Sequence, residues 1–379
     1  MGVSLASQRM YGMLFVHGIA FMVPFYMTFS RERLAIIVGC YAAAMLSITV
    51  GYHRMHSHHS FKPSLIVRLL VALFGASAFQ GSIKWWVVRH RLHHRFPDSD
   101  NDPYNARRGL WYSHMGWIFQ TAHYSKLKEI DDSDLTADKI VVFQNKYFNL
   151  LAIFMCFIFP AMIGAVFFND ALGGLMYGGF VKAVCLWHAT FAVNSLSHWN
   201  GDQPYTLDST ARDNWWLSFL TNGEGNHNFH HAFPRDYRCG SYWAQYDPTK
   251  WTIYLLSLVN LATDLYRIDD ESIEKDAIVV GEIVLKKRRQ SVSWGIPDAD
   301  LPKFTMHQVR EQCSRKAMSL LVIDGYVIDV GGFYEDHPGG RDLLAELVGQ
   351  DATTAFYDRA HNEGAHVTMR TLAVGKLID

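Results

Sequence analysis

The sequence predicts a mainly α-helical integral membrane protein, in which a bundle of four spanning helices with a cytosolic helical cap precedes a small α+β domain. Three observations lead to this fold class. Four apolar stretches approach the roughly 20 residues that a helix needs to cross a bilayer. Charged residues make up only 19% of the chain, which is low for a soluble protein. From about Leu301 onward the chain becomes soluble in character, with a hairpin pattern near its start.

The four apolar stretches come in two pairs. Only residues 30–33 separate the first pair and only residues 169–170 separate the second, so each pair predicts a helical hairpin. No small-residue cleavage site follows the first stretch, and we therefore expect an anchor and not a removed signal peptide. The stretches run from about Tyr11 to Phe29, Leu34 to Val50, Tyr147 to Phe168 and Ala171 to Val193.

Two shorter apolar runs predict helices that do not span. The run Leu65–Ile83 contains Arg68 and Gln80, which favours a half-buried or interfacial position. If it spanned, the first two histidine clusters described below would lie on opposite sides of the membrane. The run Thr252–Leu265 has only about half the length that a crossing requires, and it predicts a surface helix.

The long hydrophilic segments, 51–146 and 194–379, are expected on one side of the membrane. They hold most of the Lys and Arg, and the positive-inside bias places them in the cytosol. The net charge of −1 argues against a nucleic-acid partner. The five cysteines are scattered, which predicts neither a disulfide framework nor a cysteine metal site, and favours a reducing environment.

Histidines cluster four times in these hydrophilic segments, within GYHRMHSHHS, VVRHRLHHRF, VNSLSHWNGD and GEGNHNFHHAFP. Helix positions i, i+3 and i+4 share a face, so His90, His93 and His94 are expected to converge on one point. The same spacing recurs in the last cluster, at His227, His230 and His231.

The number of clustered histidines predicts two metal ions. Nine imidazoles exceed what one ion can coordinate, tetrahedral zinc normally takes four ligands, and carboxylate di-iron sites use Glu, which these clusters almost lack. Histidines outside the clusters are expected to be structural. Two histidines within the first cluster are expected to lie at the surface or to contact the metal ligands from behind. The structural ones are His17, His114, His123 and His188, and the outer ones are His56 and His59.

The motifs HRMHSH, HRLHH and HNFHH, with NSLSH before the last, resemble the histidine boxes of membrane acyl-CoA desaturases, most closely the stearoyl-CoA delta-9 type. The resemblance covers about residues 10 to 265 and agrees with four spanning helices. His56 departs from it, because many relatives have an aromatic residue there. It implies a di-iron centre in which Asn194 holds a metal-bound water. The histidine ligands implied are His53, His58, His90, His93, His94, His198, His227, His230 and His231.

The C-terminal part resembles a second family. A charged segment, 268–300, predicts a linker between a membrane domain, 1–267, and a compact domain, 301–379. In that domain LLVIDGYVIDV predicts a hairpin turning at Asp324-Gly325, and HPGG is followed by a second histidine 24 residues after the first. This arrangement resembles cytochrome b5. It implies haem b held by His337 and His361, with His366 a less well spaced competitor and His307 at the surface.

Together the resemblances imply oxygen-dependent desaturation of a saturated fatty acyl-CoA, with a cis double bond expected at delta-9 and electrons from the fused haem domain. They also imply a cytochrome b5 reductase or similar NADH-linked partner, contact with membrane lipid, and the endoplasmic reticulum membrane as location. Gln80, Trp86 and Thr190 would bend the acyl chain, although alone Trp86 and Thr190 predict only core packing.

Two further sets of substrate contacts follow. Arg91, Arg95, Arg107 and Arg108 are candidates for phosphate contacts, unless they pair with Asp98, Asp100 and Asp102 nearby. Tyr41 precedes His53 by twelve positions, or roughly 18 Å along a helix, and is expected to end the acyl tunnel. It shares a helix face with Met45; the alternative is that Tyr41 only packs between helices.

Three other readings remain open from the sequence alone. A histidine-box hydroxylase would share the iron chemistry but release an alcohol and not an alkene. A membrane haem protein that only relays electrons would contain no non-haem iron, and it leaves the histidine pattern unexplained. A zinc storage or transport protein is disfavoured by the haem motif.

Overall fold

A computed structural model describes residues 5–120 and 124–378, with side chains from residue 7 onward. The chain divides into two compact units, Met1–Glu282 and Ile283–Asp379. The division falls inside the helix Asp270–Gln290, so most of the segment predicted as a linker is helical.

Long helices build most of the first unit. They begin with α1 (Leu5–Tyr26), α2 (Arg31–Leu46, continued as a π-helix over Ser47–Ser57), α3 (Leu65–Ala76) and α4 (Ile83–Arg95). The later helices and a two-stranded antiparallel ladder of β1 and β2 complete it. The helices are Leu110–His114, Ser133–Ala137, Lys139–Lys146, Phe148–Phe168, 171–195, Leu217–Leu220, His227–Ala232, Pro248–Leu258 and Asp270–Gln290, and the strands are β1 (Lys62–Pro63) and β2 (Ala262–Thr263).

Serine caps start three of the first four helices. The hydroxyls of Ser30, Ser64 and Ser82 accept hydrogen bonds from backbone N–H groups in the first turns of α2, α3 and α4. Each cap satisfies one of the N–H groups that a helix start leaves without an intrahelical partner. These caps therefore define locally where α2, α3 and α4 begin. Helix α4 carries the second histidine cluster.

In each predicted pair the two helices follow one another through a loop of a few residues. The two hairpin loops are tied to each other by an ion pair, in which Arg33 Nε lies 2.8 Å from Asp170 Oδ2. Within the described ranges, Arg31–Ser57 and Phe148–Phe168 are long and apolar enough to cross a membrane. The structure thus provides two candidate spans where the sequence predicted four.

The predicted half-buried run is shorter as a helix than as an apolar stretch. Helix α3 ends at Ala76, and residues 77–82 form a non-helical loop before α4. One face of α3 is buried through Val67, Val71 and Ala72, while its other apolar face is exposed. The second predicted surface run forms the helix Pro248–Leu258 and then strand β2.

The second unit is a small α+β fold. Its sheet has the order β3-β6-β5-β4, and the predicted hairpin of β4 and β5 is confirmed, with its turn at Asp324-Gly325. Apolar side chains from alternate strand positions enter two separate cores, one on each face of the sheet. The strands are β3 (Lys303–Phe304), β4 (Leu320–Ile323), β5 (Tyr326–Asp329) and β6 (Ala373–Leu377), and the helices are Met306–Lys316, Arg341–Leu347, Thr353–Asp358 and Glu363–Thr371.

Candidate metal centres and acyl-chain cavity

Nine histidines of the first unit come together in two neighbouring groups. In each group the ligand atoms lie within 4.8 Å of one another. The groups touch each other, because the rings of His94 and His231 stack with centroids 4.3 Å apart. The first group contains His53, His58, His90, His94 and His230, and the second contains His93, His198, His227 and His231.

The split corrects the expectation that His90, His93 and His94 converge on one point. His90 and His94 belong to the first group and His93 to the second. Positions i and i+4 differ by about 40° around a helix, whereas i+3 and i+4 differ by about 100°, so neighbours in sequence point to different centres. The last cluster is divided in the same way, with His227 and His231 in one group and His230 in the other.

The facing nitrogen atoms suit cations. The Nε2 atoms of His58 and His90 lie 2.8 Å apart, and those of His53 and His230 lie 2.9 Å apart. Burial lowers the pKa of His58 and His90 well below the usual range, which favours neutral rings. Neutral imidazoles whose lone pairs converge are the donor set that iron, copper, nickel and zinc bind.

Polar groups behind the rings fix their orientation. His93 Nδ1 donates to Asp102 Oδ1 at 2.9 Å. His198 Nδ1 donates to Thr210 Oγ1 at 2.9 Å, and that hydroxyl donates to Asp98 Oδ1 at 2.7 Å. In both histidines the proton is therefore held on Nδ1, and the lone pair of Nε2 is left to face the group centre.

A buried charge cluster lies behind the first group. Arg54 is 1% exposed and binds Glu224 at 2.9 Å and both oxygens of Asp247 at 2.9 and 3.0 Å. Glu224 also lies 3.3 Å from His53 Nδ1. Burial alone would raise the pKa of Glu224, but the charge of Arg54 and the hydrogen bonds from Arg54 and His53 hold it at about 2. A carboxylate behind the ring stabilises the His53 orientation that points Nε2 at the group.

The short helix His227–Ala232 is held at its start by another acid. Asp213 Oδ1 accepts hydrogen bonds from the backbone N–H groups of Asn228 at 2.7 Å and Phe229 at 3.0 Å. These are donors that a helix N-terminus leaves unpaired, and the carboxylate also suits the positive end of the helix dipole. Burial raises the pKa of Asp213 to about 7, while those two backbone N–H groups favour the carboxylate.

The acids at positions 102, 213 and 224 were missed by sequence reasoning. The sequence predicts Asp102 only as a possible arginine partner and predicts no role for Glu224 or Asp213. Their signal in the sequence is weak: Glu224 stands three residues before His227, but the other two gain meaning only from the fold.

A large cavity adjoins the histidine groups. Its volume is about 1020 Å³, and its lining includes His90 and Asn194 together with apolar side chains of α1 and of the helices Phe148–Phe168 and 171–195. A second, smaller cavity shares His90 and Asn194 with it and also reaches His53, His93 and His227. Asn194 thus lies beside both groups of histidines, and its predicted role as the holder of a water stays a prediction.

Three residues predicted to bend an acyl chain line the large cavity together. Gln80 Nε2 donates to Thr190 Oγ1 at 2.9 Å. Trp86 stacks on His90, with ring centroids 4.9 Å apart and an angle of 19° between the planes. The indole therefore forms a wall directly against a candidate metal ligand.

The structure does not place all predicted substrate residues at these cavities. Arg91 is bound to Asp134 through two bonds of 2.9 and 2.7 Å and to the carbonyl oxygen of Asp131. Because its guanidinium is engaged within the protein, the expectation of a phosphate contact by Arg91 has no support. Its partner is also not one of the acids that the sequence suggested.

Tyr41, Arg107 and Arg108 lie away from both cavities. Tyr41 is half-buried and packs against the apolar core without lining either cavity. Arg107 and Arg108 are exposed, and Arg108 lies over the Tyr112 ring at 3.7 Å. Two other cations, Arg9 and Lys146, line the large cavity.

The histidines expected to be structural stay outside the two groups. His17, His188 and His114 form a hydrogen-bonded row of their own, with nitrogen separations of 3.2 and 3.0 Å. His123 lies outside the described residues. His59 is exposed, and the carbonyl oxygen of His56 accepts a hydrogen bond from Arg91.

In the second unit His337 and His361 face each other, with ring centroids 6.4 Å apart and an angle of 29°. Each Nδ1 is bound to a backbone carbonyl oxygen, that of Gly340 at 3.2 Å or of Phe356 at 2.7 Å. Both Nε2 atoms are therefore free to act as axial ligands to one iron. His366 packs edge-on to Phe356 instead and does not face His337.

Comparison with known proteins agrees with both sites. Residues 32–253 match the family model described as fatty acid desaturase, and residues 305–378 match that of the cytochrome b5-like haem/steroid binding domain. The chain is 44% identical to acyl-CoA desaturase 1 of Saccharomyces cerevisiae over 83% of its own length and 62% of that protein. It is 42% identical to a probable acyl-CoA desaturase of Schizosaccharomyces pombe, over 90% of this chain and 71% of that protein. Stearoyl-CoA desaturase 5 of Bos taurus is 35% identical over 62% of this chain and 71% of its own length.

Proposed function

The chain belongs to the fatty acid desaturase family, and we propose that it introduces a cis double bond, at the delta-9 position, into saturated fatty acyl-CoA. Electrons reach the site through its own cytochrome b5-like domain. The observation that carries this proposal is the contact between the two histidine groups and a large, mainly apolar cavity. A metal pair alone fits several reactions, but an apolar cavity that shares His90 with it selects an aliphatic substrate.

The donor sets fit a di-iron centre and a haem b. The histidines at positions 53, 58, 90, 94 and 230 would hold one iron, and those at positions 93, 198, 227 and 231 the other, while His337 and His361 would hold the haem. When bound, the iron pair supplies the activation of dioxygen that removes two hydrogens from the acyl chain. Dioxygen, two electrons, two protons and the two removed hydrogens balance as two molecules of water and one alkene.

The protein's own part is to bind and bend the acyl chain beside the iron ligands. The volume of about 1020 Å³ is at the upper end of the range for small-molecule sites, roughly 300–1,000 Å³, as a long aliphatic chain requires. Trp86 on His90 forms one wall, and the hydrogen bond between Gln80 and Thr190 closes another. A chain that follows these walls turns next to the metal site, which presents one pair of carbons and excludes others.

The head group of the acyl-CoA would bind at the cationic part of this cavity. Arg9 and Lys146 line the cavity and can neutralise phosphate oxygens. Arg107 and Arg108 are exposed and remain candidates for the more distant phosphate. Arg91 is left out because its ion pair with Asp134 occupies it.

We also propose four spanning helices, formed by residues 5–26, 31–57, 148–168 and 171–195. The Arg33–Asp170 ion pair between the two hairpin loops supports this arrangement, since it puts both loops at the same end of the bundle. The histidines, the haem domain and most Lys and Arg would then face the cytosol at the endoplasmic reticulum. An NADH-linked reductase of the cytochrome b5 reductase type would reduce the haem.

Expression of the full chain in a host that lacks its own desaturase tests the function. We expect new cis-monounsaturated fatty acids, and two non-haem irons and one haem in each purified chain. Hydroxylated fatty acids without an alkene would favour the hydroxylase reading. A chain with haem but no non-haem iron would overturn the di-iron assignment.

A further inference from the structure

The bundle contains a buried lysine, Lys182, that pairs with no acid among the described residues. Lys182, in the helix 171–195, is 0% exposed. Its Nζ donates to the carbonyl oxygen of Ser77 at 2.7 Å and lies 3.5 Å from the sulfur of Cys156. No ion pair joins it to a carboxylate in the part of the chain that the structure describes. A cation inside an apolar bundle is costly and is usually retained for a task.

The hydrogen bonds at the C-terminal end of α3 indicate the task of Lys182. The carbonyl oxygens of residues 74, 75 and 76 accept hydrogen bonds from the backbone N–H groups of the turn that follows them. The next two, on Ser77 and Ala78, are taken by side chains of the helix 171–195: Lys182 Nζ at 2.7 Å and Trp187 Nε1 at 2.9 Å. Carbonyls at the C-terminal end of a helix carry its negative dipole charge, which a buried ammonium group complements.

The same helix holds the loop at a third point. Thr190 accepts the hydrogen bond from Gln80 at 2.9 Å. Lys182, Trp187 and Thr190 therefore bind three of the four loop residues 77–80, in the same order along both segments. Asn194, one turn further on, reaches the metal site. One helix therefore sets the distance between the loop residues 77–80 and the metal site.

This loop is a wall of the acyl-chain cavity. Phe79, Gln80 and Gly81 line the large cavity. Phe79 has a positive φ of 55° and Gly81 one of 100°, so the loop has a backbone shape that needs support from its surroundings. If the loop shifts along the helix 171–195, a bound acyl chain shifts with it relative to the metals.

We propose that Lys182 is a positioning residue that fixes the loop 77–82 and thereby decides which carbon pair of the acyl chain faces the metal centre. The inference rests on the proposed desaturase function and goes beyond it, because it assigns the position of the double bond to a residue that touches neither substrate nor metal. Lys182 acts through the Ser77 carbonyl on the residues that follow it.

The test is to express the wild type, Lys182→Met and Lys182→Arg as full chains in the desaturase-deficient host. The ratio of positional isomers among the monounsaturated products is then measured by mass spectrometry of derivatised fatty acids. We expect Lys182→Met to raise the ratio of minor to major isomer about tenfold, as the loss of one charge-assisted hydrogen bond allows. Lys182→Arg keeps a donor and should restore the wild-type ratio.

The control is Lys250→Met. Lys250 is also 0% exposed, and its Nζ donates to two carbonyl oxygens, those of Tyr242 and Gln245, away from the loop. This variant should lose protein yield without changing the isomer ratio. If Lys182→Met does not accumulate, Lys182→Gln keeps a polar side chain but loses the charge and part of the reach to the Ser77 carbonyl oxygen, and it should shift the ratio in the same direction.

The outcomes separate the two proposals. A wild type that makes no alkene overturns the proposed function. A wild type that makes one main isomer, with an unchanged ratio in both Lys182→Met and Lys182→Gln, overturns only the positioning role. An equal shift in Lys250→Met would also overturn it, since any loss of a buried lysine would then suffice.

Discussion

Met45 is expected to limit the length of the acyl chain that the enzyme accepts. It is 1% exposed and lines the small cavity, which shares Trp86 and Thr190 with the large one and has a volume of only about 40 Å³. We therefore expect Met45 to restrict the space that is open to an acyl chain at this point. Tyr41, one turn deeper on the same helix, lines neither cavity and comes second to Met45.

The size of the effect follows from the atoms removed. Met45→Ala deletes three heavy atoms and makes room for about two more methylene groups, each worth about 0.8 kcal/mol on burial. The gain of about 1.6 kcal/mol corresponds to a preference shifted roughly 15-fold towards acyl chains two carbons longer. Truncation also leaves a cavity when no longer chain fills it, with a loss of about 2–5 kcal/mol in stability.

Competition between saturated acyl-CoAs of increasing length measures this preference as a ratio of kcat/KM values. Met155→Ala is the matched control, because Met155 is 6% exposed and lines neither cavity. Tyr41→Ala alone should leave the ratio unchanged, and combined with Met45→Ala it should extend the range further. The reasoning fails if Met45→Ala and Met155→Ala give the same ratio, or if Tyr41→Ala alone produces the shift.

The other predictions concern the metal sites and the charge cluster behind them. Asp102→Asn should lower non-haem iron content or activity about 10- to 100-fold with an intact haem spectrum, because His93 loses the acceptor that orients it; unchanged iron and activity would contradict this. His361→Ala should abolish haem absorbance while His366→Ala retains it, and the reverse result would reassign the axial ligand. Arg54→Met should reduce unfolding stability by about 3–5 kcal/mol in thermal or denaturant melts, since it leaves two buried acids without a cation; a loss below about 1 kcal/mol would refute that account.

The main helices and the histidine clusters could be predicted from the sequence because each depends on short-range patterns. Apolar runs and the repeated HxxHH spacing act within a few helical turns, and the structure brings all nine histidines together as expected. The hairpin at Asp324-Gly325 is of the same kind, since its turn depends on two adjacent residues.

What the sequence could not provide depends on how helices rotate and cross. The split of His93 from His90 and His94 requires knowing that metals lie on two sides of α4, which no spacing within α4 reveals. Arg91 is 43 residues away in sequence from its partner Asp134, while six acids stand closer along the chain. The distance along α2 from His53 predicted Tyr41 as the end of the tunnel. Which face of α2 lines a cavity depends on how the helices pack, and Met45 lines one where Tyr41 does not.

Polar side chains inside an apolar bundle indicate where position matters, because each would cost free energy if it were not bound. In the helix 171–195 these groups have separate tasks. Lys182 and Thr190 bind the loop that lines the cavity, and Asn194 lies beside the two histidine groups. His188 lies outside this series and instead binds His17 of α1, a helix that also lines the cavity through Met13 and Val16. The helix therefore fixes two walls of one cavity relative to the metal site. An acyl chain has no polar group near the reacting carbons, so fixed walls are what allow the enzyme to act on one carbon pair.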